Sequence, residues 1–76
     1  MTREQSRNLY IAAGGWPDHS ESQWGKIHKE MQAVVAATTE KDAAAIIDWW
    51  GCWRSEYTAI AFAQRVRANH ALMQRP

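Results

Sequence analysis

The chain has 76 residues, a formal net charge of +1 at pH 7 and one cysteine. Its length fits a single domain, residues 1–76, near the lower size limit for a hydrophobic core that is stable alone. One cysteine excludes an internal disulfide, and the sequence lacks the spacing of structural zinc sites. We therefore expect the domain to depend on close helix packing or on association with another molecule.

The sequence contains no membrane or export signal. No segment approaches the roughly 18 consecutive apolar residues of a membrane span, and the N-terminus lacks the apolar core of a signal peptide. A lone cysteine is consistent with a reducing compartment. We expect a soluble, cytoplasmic protein with no membrane partner.

Residues 2–13 predict a short first helix. Thr2 and Gln5 form a capping-box pattern, and two glycines at 14 and 15 are typical of a helix end. A helix of this length is unstable alone, so it must dock on the rest of the chain. The following turn, residues 14–20, contains Trp16.

Two further helical segments follow, joined by a very short connection. Ser20 with Gln23 starts a helix that reaches about Ala37, and Thr39 caps a second segment that covers about residues 40–73. Such a short connection predicts antiparallel neighbours. The expected fold is therefore all-α: a small three- to four-helix bundle in which a hairpin of residues 20–37 and 40–73 carries the short N-terminal helix.

The core of this hairpin is predicted from apolar residues spaced three and four positions apart, which mark one helix face. The predicted core residues are Trp24, Ile27, Met31, Ile46, Trp50, Trp53, Tyr57 and Ile60.

The apolar face changes sides within the second arm. Phe62, Val66 and Met73 align with one another and point roughly opposite to Trp50 and Trp53. Either the helix breaks near Gly51, or its second half contacts something else. That contact is another helix of the chain, a second subunit or a partner.

Five tryptophans are many for 76 residues. Large aromatic side chains bury about 150–250 Å² each and are enriched at interface hot spots. Trp49 lies beside Trp50 and so points about 100° away from the predicted core face. No acidic residue follows Glu56 in the sequence, and the later arginines either complement a helix dipole or contact phosphate or an acidic partner. The predicted partner-binding residues are Trp16, Trp49, Phe62, Arg65, Val66, Arg67 and Met73.

These features favour a non-enzymatic protein–protein interaction module that docks a Trp-rich helix face on a larger protein or a second subunit, which includes a homodimer. Small Trp-rich helical proteins without catalytic motifs include many inhibitors and adaptors encoded by phages and mobile elements. We therefore expect a small inhibitor or adaptor of this kind.

The stretch around Gly51 resembles the helix-turn-helix family over about twenty residues. Ile46 and Ile60 occupy the positions of its core residues, and Gly51 that of its turn glycine, whereas Ile47 and Trp50 depart from its pattern. The resemblance implies a DNA-binding transcriptional regulator as the alternative function, with nucleic acid as a less favoured partner. The residues toward DNA would be Arg54, Ser55, Thr58, Arg65 and Arg67.

No arrangement of residues predicts catalysis or metal binding. Cys52 is the natural nucleophile to consider, but the sequence brings no histidine to it, and a nearby carboxylate such as Asp48 disfavours a thiolate. His19, His28 and His70 lack the short ligand spacing of zinc sites. We expect no enzyme activity, no metal and no cofactor.

Overall fold

A computed structural model describes residues 1–51, 53 and 58–74. The described residues form four α-helices and one 3-10 helix, with no strand. The helices are α1 (Arg3–Ala12), α2 (Glu21–Ala36), α3 (Glu40–Ile47) and α4 (Ala59–Met73), and the 3-10 helix (Asp48–Trp50) directly follows α3. The predicted all-α helical bundle is confirmed.

The predicted caps set the starts of the first three helices. The Thr2 hydroxyl accepts a hydrogen bond from the Gln5 backbone N–H at 3.1 Å, and the Gln5 side chain accepts one from the Thr2 N–H at 2.8 Å. Ser20 and Gln23 repeat this reciprocal pair at α2. Thr39 accepts from the backbone at the start of α3. These bonds satisfy N–H groups that have no partner inside the helix.

The second arm of the predicted hairpin is two helices rather than one. After α3 the chain tightens into the 3-10 helix, and Gly51 then adopts a left-handed φ of 67°. Its N–H donates to the Asp48 carbonyl at 3.4 Å. A left-handed residue ends a helix, and α4 begins only at Ala59, after the extended N-cap Thr58. The break near Gly51 was one of the two predicted alternatives.

The core lies where the four α-helices meet. The α2 face is buried as predicted, including Trp24, Ile27 and Met31. The remaining buried apolar residues are Leu9, Tyr10 and Ala13 from α1 and its C-cap, Val34 from α2, Ala43, Ala44 and Ile47 from α3, and Ala59, Phe62, Ala63 and Val66 from α4.

The break shifts the helical phase, so several predicted core residues lie elsewhere. Ile47 is fully buried and Ile46 only half-buried, and Ile60 is 50% exposed beside the inward face of α4. Trp50 and Trp53 are half-buried and pack against the core. Tyr57 lies outside the described residues. The predicted spacing ran through Gly51 as one helix, whereas α4 sets its own phase from Ala59.

Phe62 and Val66, which the sequence assigned to a partner surface, lie inside the chain's own core. They are 4% and 0% exposed, because α4 packs on α1, α2 and α3. The second apolar face is therefore covered by other helices of the same chain. Among the described residues, no helix is both long and apolar enough to cross a bilayer.

Two glycines should respond oppositely to alanine substitution. A Cβ on Gly15 would overlap the Tyr10 ring, whereas one on Gly25, inside α2, would meet only the Arg3 guanidinium at 3.2 Å, the end of a flexible exposed side chain. We expect Gly15→Ala to lower the free energy of unfolding by about 1–3 kcal/mol through overpacking. Gly25→Ala should raise it by about 0.5–1 kcal/mol through helix propensity. Urea denaturation measures both, and equal effects would contradict the described packing.

Candidate functional site

An open groove of about 340 Å³ lies on one side of the bundle. It is formed by α1, the turn before α2, α2 itself and the 3-10 helix. Its lining residues are Tyr10, His19, Gln23, Lys26, Ile27, Glu30, Trp49 and Trp50. Three of these carry large aromatic rings and one carries a carboxylate, so the groove is the most chemically distinctive surface of the described chain.

The inner wall of the groove belongs to an aromatic cluster. The Tyr10 ring makes edge contacts with the rings of His19, Trp24, Trp50 and Phe62, with centroid distances of 5.5, 5.6, 5.8 and 5.7 Å. Edge-to-face packing at such distances is favourable beyond the area buried. The wall is therefore held in place by the core.

Trp50 is fixed on two further sides. Its ring stacks on Trp53 with a centroid distance of 5.7 Å and an interplanar angle of 17°. Its Nε1–H donates a hydrogen bond to Glu30 Oε2 at 2.5 Å. The 3-10 helix is thereby tied to α2 across the groove.

Glu30 is the acidic residue of the groove lining. Burial raises the pKa of its carboxyl group above the usual 4.5, and hydrogen bonding from the Trp50 and Trp49 indoles and the charge of Lys26 only partly oppose this. In the part of the chain that the structure describes, Glu30 forms no ion pair. The carboxylate is thus partly desolvated, and none of the described cations forms an ion pair with it.

The groove has other polar side chains besides Glu30. Lys26 is exposed, one helical turn before Glu30 on α2. His19 is half-buried, and its Nε2 lies 3.1 Å from the Tyr10 hydroxyl. This contact holds the turn before α2 against α1.

The two tryptophans assigned to a partner surface are both exposed. Trp16 and Trp49 are each 69% exposed, although Trp49 is adjacent in sequence to the half-buried Trp50. Trp49 lines the groove, whereas Trp16, in the turn between α1 and α2, does not. The structure therefore places one predicted partner residue on the groove and one apart from it.

The remaining predicted partner residues are dispersed. Met73 is 42% exposed at the end of α4, and Arg65 is exposed. Arg67 is half-buried, and its Nη1 is buried without a hydrogen-bond partner. None of the three lines the groove, so they do not form one surface with Trp49 there.

Most residues of the groove were not predicted from the sequence. No site role was predicted for Tyr10, His19 or Glu30. The short connection at residues 38 and 39 carries a usable signal, because the hairpin that it predicts brings later residues back along α2. That signal alone does not identify Trp50 as the residue that reaches Glu30.

A serine–histidine contact is present but is not accessible to a substrate. Ser6 Oγ lies 2.6 Å from His28 Nδ1, the geometry of a nucleophile and its base. Ser6 is only 1% exposed, so the pair serves to join α1 to α2. Cys52 lies outside the described residues. Among the described residues, no three potential metal ligands lie close enough together to hold an ion.

The described bounds around Gly51 differ from those of a helix-turn-helix. The turn of that motif is about three to four residues long. Thr58, which caps α4, lies seven positions after Gly51 (58 − 51). Arg54 and Ser55, two of the residues predicted to face DNA, lie outside the described residues.

Comparison with known proteins gives no match: no family model, no curated protein and no solved structure is similar to this chain. The groove and the exposed indoles are therefore the features that bear on function.

Phe62 and Trp49 should separate core from surface. Phe62→Ala removes a buried ring in contact with Tyr10, Trp50 and Trp53, so we expect the free energy of unfolding to fall by about 3–5 kcal/mol. Trp49→Ala removes a mostly exposed ring and should change it by less than about 1 kcal/mol. Chemical denaturation compares the two. A large loss from Trp49→Ala would assign that ring to the core.

Glu30 should make the stability depend on pH. Because burial raises its folded-state pKa, the folded protein holds the proton more tightly than the unfolded chain does. The contribution of Glu30 to stability therefore falls as the pH rises from about 4.5 through the folded-state pKa. Glu30→Gln removes this dependence, so its stability relative to the unmodified protein should increase from pH 4 to pH 7. Unfolding at both pH values measures the difference, and a constant difference would contradict the raised pKa.

Proposed function

We propose that the protein is a non-enzymatic protein-binding module that docks its groove and the adjoining Trp49 indole on a larger protein. The observation that carries the proposal is the exposure of Trp49, 69%, on the rim of a preformed aromatic groove. A small inhibitor or adaptor acts in this way, by covering a surface of its target.

The energetic support comes from the area that remains in water. A Trp side chain with this exposure leaves on the order of 100–150 Å² accessible. At about 25 cal/mol per Å², covering it is worth roughly 3 kcal/mol before the costs of association. Trp16 offers a similar area. Two such rings are the type of anchor that dominates binding energy at protein interfaces.

The rigidity of the groove supports the same function. Trp50 is fixed by the Tyr10 and Trp53 rings and by Glu30, so the backbone that carries Trp49 is held at one end. Gly51 closes the 3-10 turn on the other side. Preorganised anchors lose less conformational entropy on binding, which favours affinity.

A second copy of the chain is the other occupant to consider. A homodimer would cover the same indoles, and the mass measured in solution without any other protein would then be twice that of the monomer. Sedimentation of the free chain, which reports its mass, distinguishes a homodimer from binding to a different protein.

DNA binding is not advanced as a second proposal. No geometry of the described residues favours it, since Arg67 is half-buried and most of the stretch between Gly51 and Thr58 lies outside the described residues. It stays a prediction of the sequence. A duplex-binding titration at low salt tests it, because phosphate contacts give affinities that fall steeply with salt.

The proposal predicts that one exposed indole is required for binding. In affinity capture from the source cell, we expect a protein retained by the unmodified chain to be lost, by at least tenfold, with Trp49→Ala. Leu72→Ala is the matched control, because Leu72 is 60% exposed but lies on α4, away from the groove. The captured protein is then purified and titrated against the three chains. Sedimentation of each free chain reports its mass.

The same experiment can overturn the proposal. Retention of the captured protein by Trp49→Ala with unchanged affinity would remove Trp49 from the interface. A strictly monomeric chain that captures nothing above the background of an unrelated helical protein would leave the groove without a protein partner.

A further inference from the structure

The groove combines aromatic rings with a negative charge. Tyr10, Trp49 and Trp50 line it, together with the Glu30 carboxylate. Aromatic rings attract cations through their quadrupole, Trp most strongly, and aromatic enclosures bind alkylated ammonium groups. A carboxylate adds a full negative charge at close range. This chemistry is complementary to a cation that is carried on an apolar stem.

Glu30 has capacity for such a cation. A carboxylate offers about four acceptor positions, of which the Trp50 N–H uses one through Oε2. The Trp49 indole also hydrogen-bonds to this carboxyl group, so acceptor positions remain after both indoles are counted. Partly buried carboxylates are normally paired with a positive charge, because desolvation is otherwise costly. No described cation forms an ion pair with Glu30. An incoming ammonium or guanidinium group would supply the missing charge and the missing donors.

Lys26 is the chain's own cation at this groove. It is exposed, and its charge reaches Glu30 only at a distance, without an ion pair. His19, the other titratable group of the lining, already contacts the Tyr10 hydroxyl. Lys26 therefore competes with an incoming cation for Glu30 but does not replace it.

We infer that the groove receives a lysine or arginine side chain of the partner protein, with the charged head at Glu30 and the aliphatic stem against Trp49 and Trp50. The inference rests on the proposed function, because it uses Trp49 as part of the docking surface. A side chain on a protein is favoured over a free small cation, since Trp49 is 69% exposed and only a larger surface covers it. The groove volume of about 340 Å³ is sufficient for one side chain.

The test uses short peptides of defined charge. Acetyl-Gly-Xaa-Gly-amide peptides with Xaa as lysine, arginine or norleucine are titrated while the indole N–H resonances of Trp49 and Trp50 are followed by NMR. Norleucine is the matched control, because it keeps the aliphatic stem without the charge. We expect lysine and arginine to shift both resonances, to bind about tenfold more tightly than norleucine, and to weaken as salt is added.

Two variants locate the charge. Glu30→Gln keeps an oxygen that can accept from the Trp50 indole, and it should reduce lysine-peptide affinity about tenfold. Lys26→Gln removes the competing cation, so it should strengthen binding. This gain cannot arise from misfolding.

Several results would overturn the inference. Equal affinity for norleucine would make the groove merely apolar, and unchanged affinity in Glu30→Gln would place the cation elsewhere. Choline that binds more tightly than the lysine peptide would assign the groove to a free quaternary ammonium compound. If the peptides do not bind while capture still requires Trp49, the cation inference fails and the proposed function stands. If they bind through Glu30 while capture does not require Trp49, the proposed function is the part that fails.

Discussion

The structure depends on the ring of Tyr10. This residue of α1 is 7% exposed, and its ring contacts His19 from the turn, Trp24 from α2, Trp50 from the 3-10 helix and Phe62 from α4. A helix as short as α1 is unstable alone, so it needs such an anchor. One side chain thereby joins parts of the chain that lie far apart in sequence. This matters because the core of a 76-residue chain is small and offers little area for other such contacts.

The position of Trp49 follows from this cluster. In a 3-10 helix, consecutive residues lie about 120° apart around the axis. Trp50 is directed inward by its contacts with Tyr10, Trp53 and Phe62 and by its bond to Glu30, so Trp49 must project to a different side. The exposed indole is thus a geometric consequence of the buried one. Both of these side chains line the groove.

The sequence predicts the features that depend on local chemistry. The caps at Thr2, Ser20 and Thr39 and the buried face of α2 need only near neighbours, and the structure confirms them. The helix break is different, because glycine is tolerated inside a helix as well as at its end, and only tertiary packing decides. Because Gly51 ends the 3-10 helix, the spacing of three and four positions from Trp53 to Ile60 no longer marks a single helix face. The groove could not be predicted for the same reason, since the contact between Trp50 and Glu30 joins residues 20 positions apart.

The fold fixes the position of Trp49, but the Trp49 ring is not part of the hydrophobic core. A 76-residue domain has a free energy of unfolding of roughly 4–11 kcal/mol, and the buried rings around Tyr10 account for a large part of the apolar packing. Trp49 is outside the buried core, and Glu30 is held partly desolvated with no ion pair to any described residue. Folding stability alone does not favour either residue. A polar residue at position 49 and a neutral one at position 30 would leave the same hydrophobic core. Departures from the most stable choice are expected at functional sites. The position of both departures on one groove is therefore the strongest physical reason to look for a partner there.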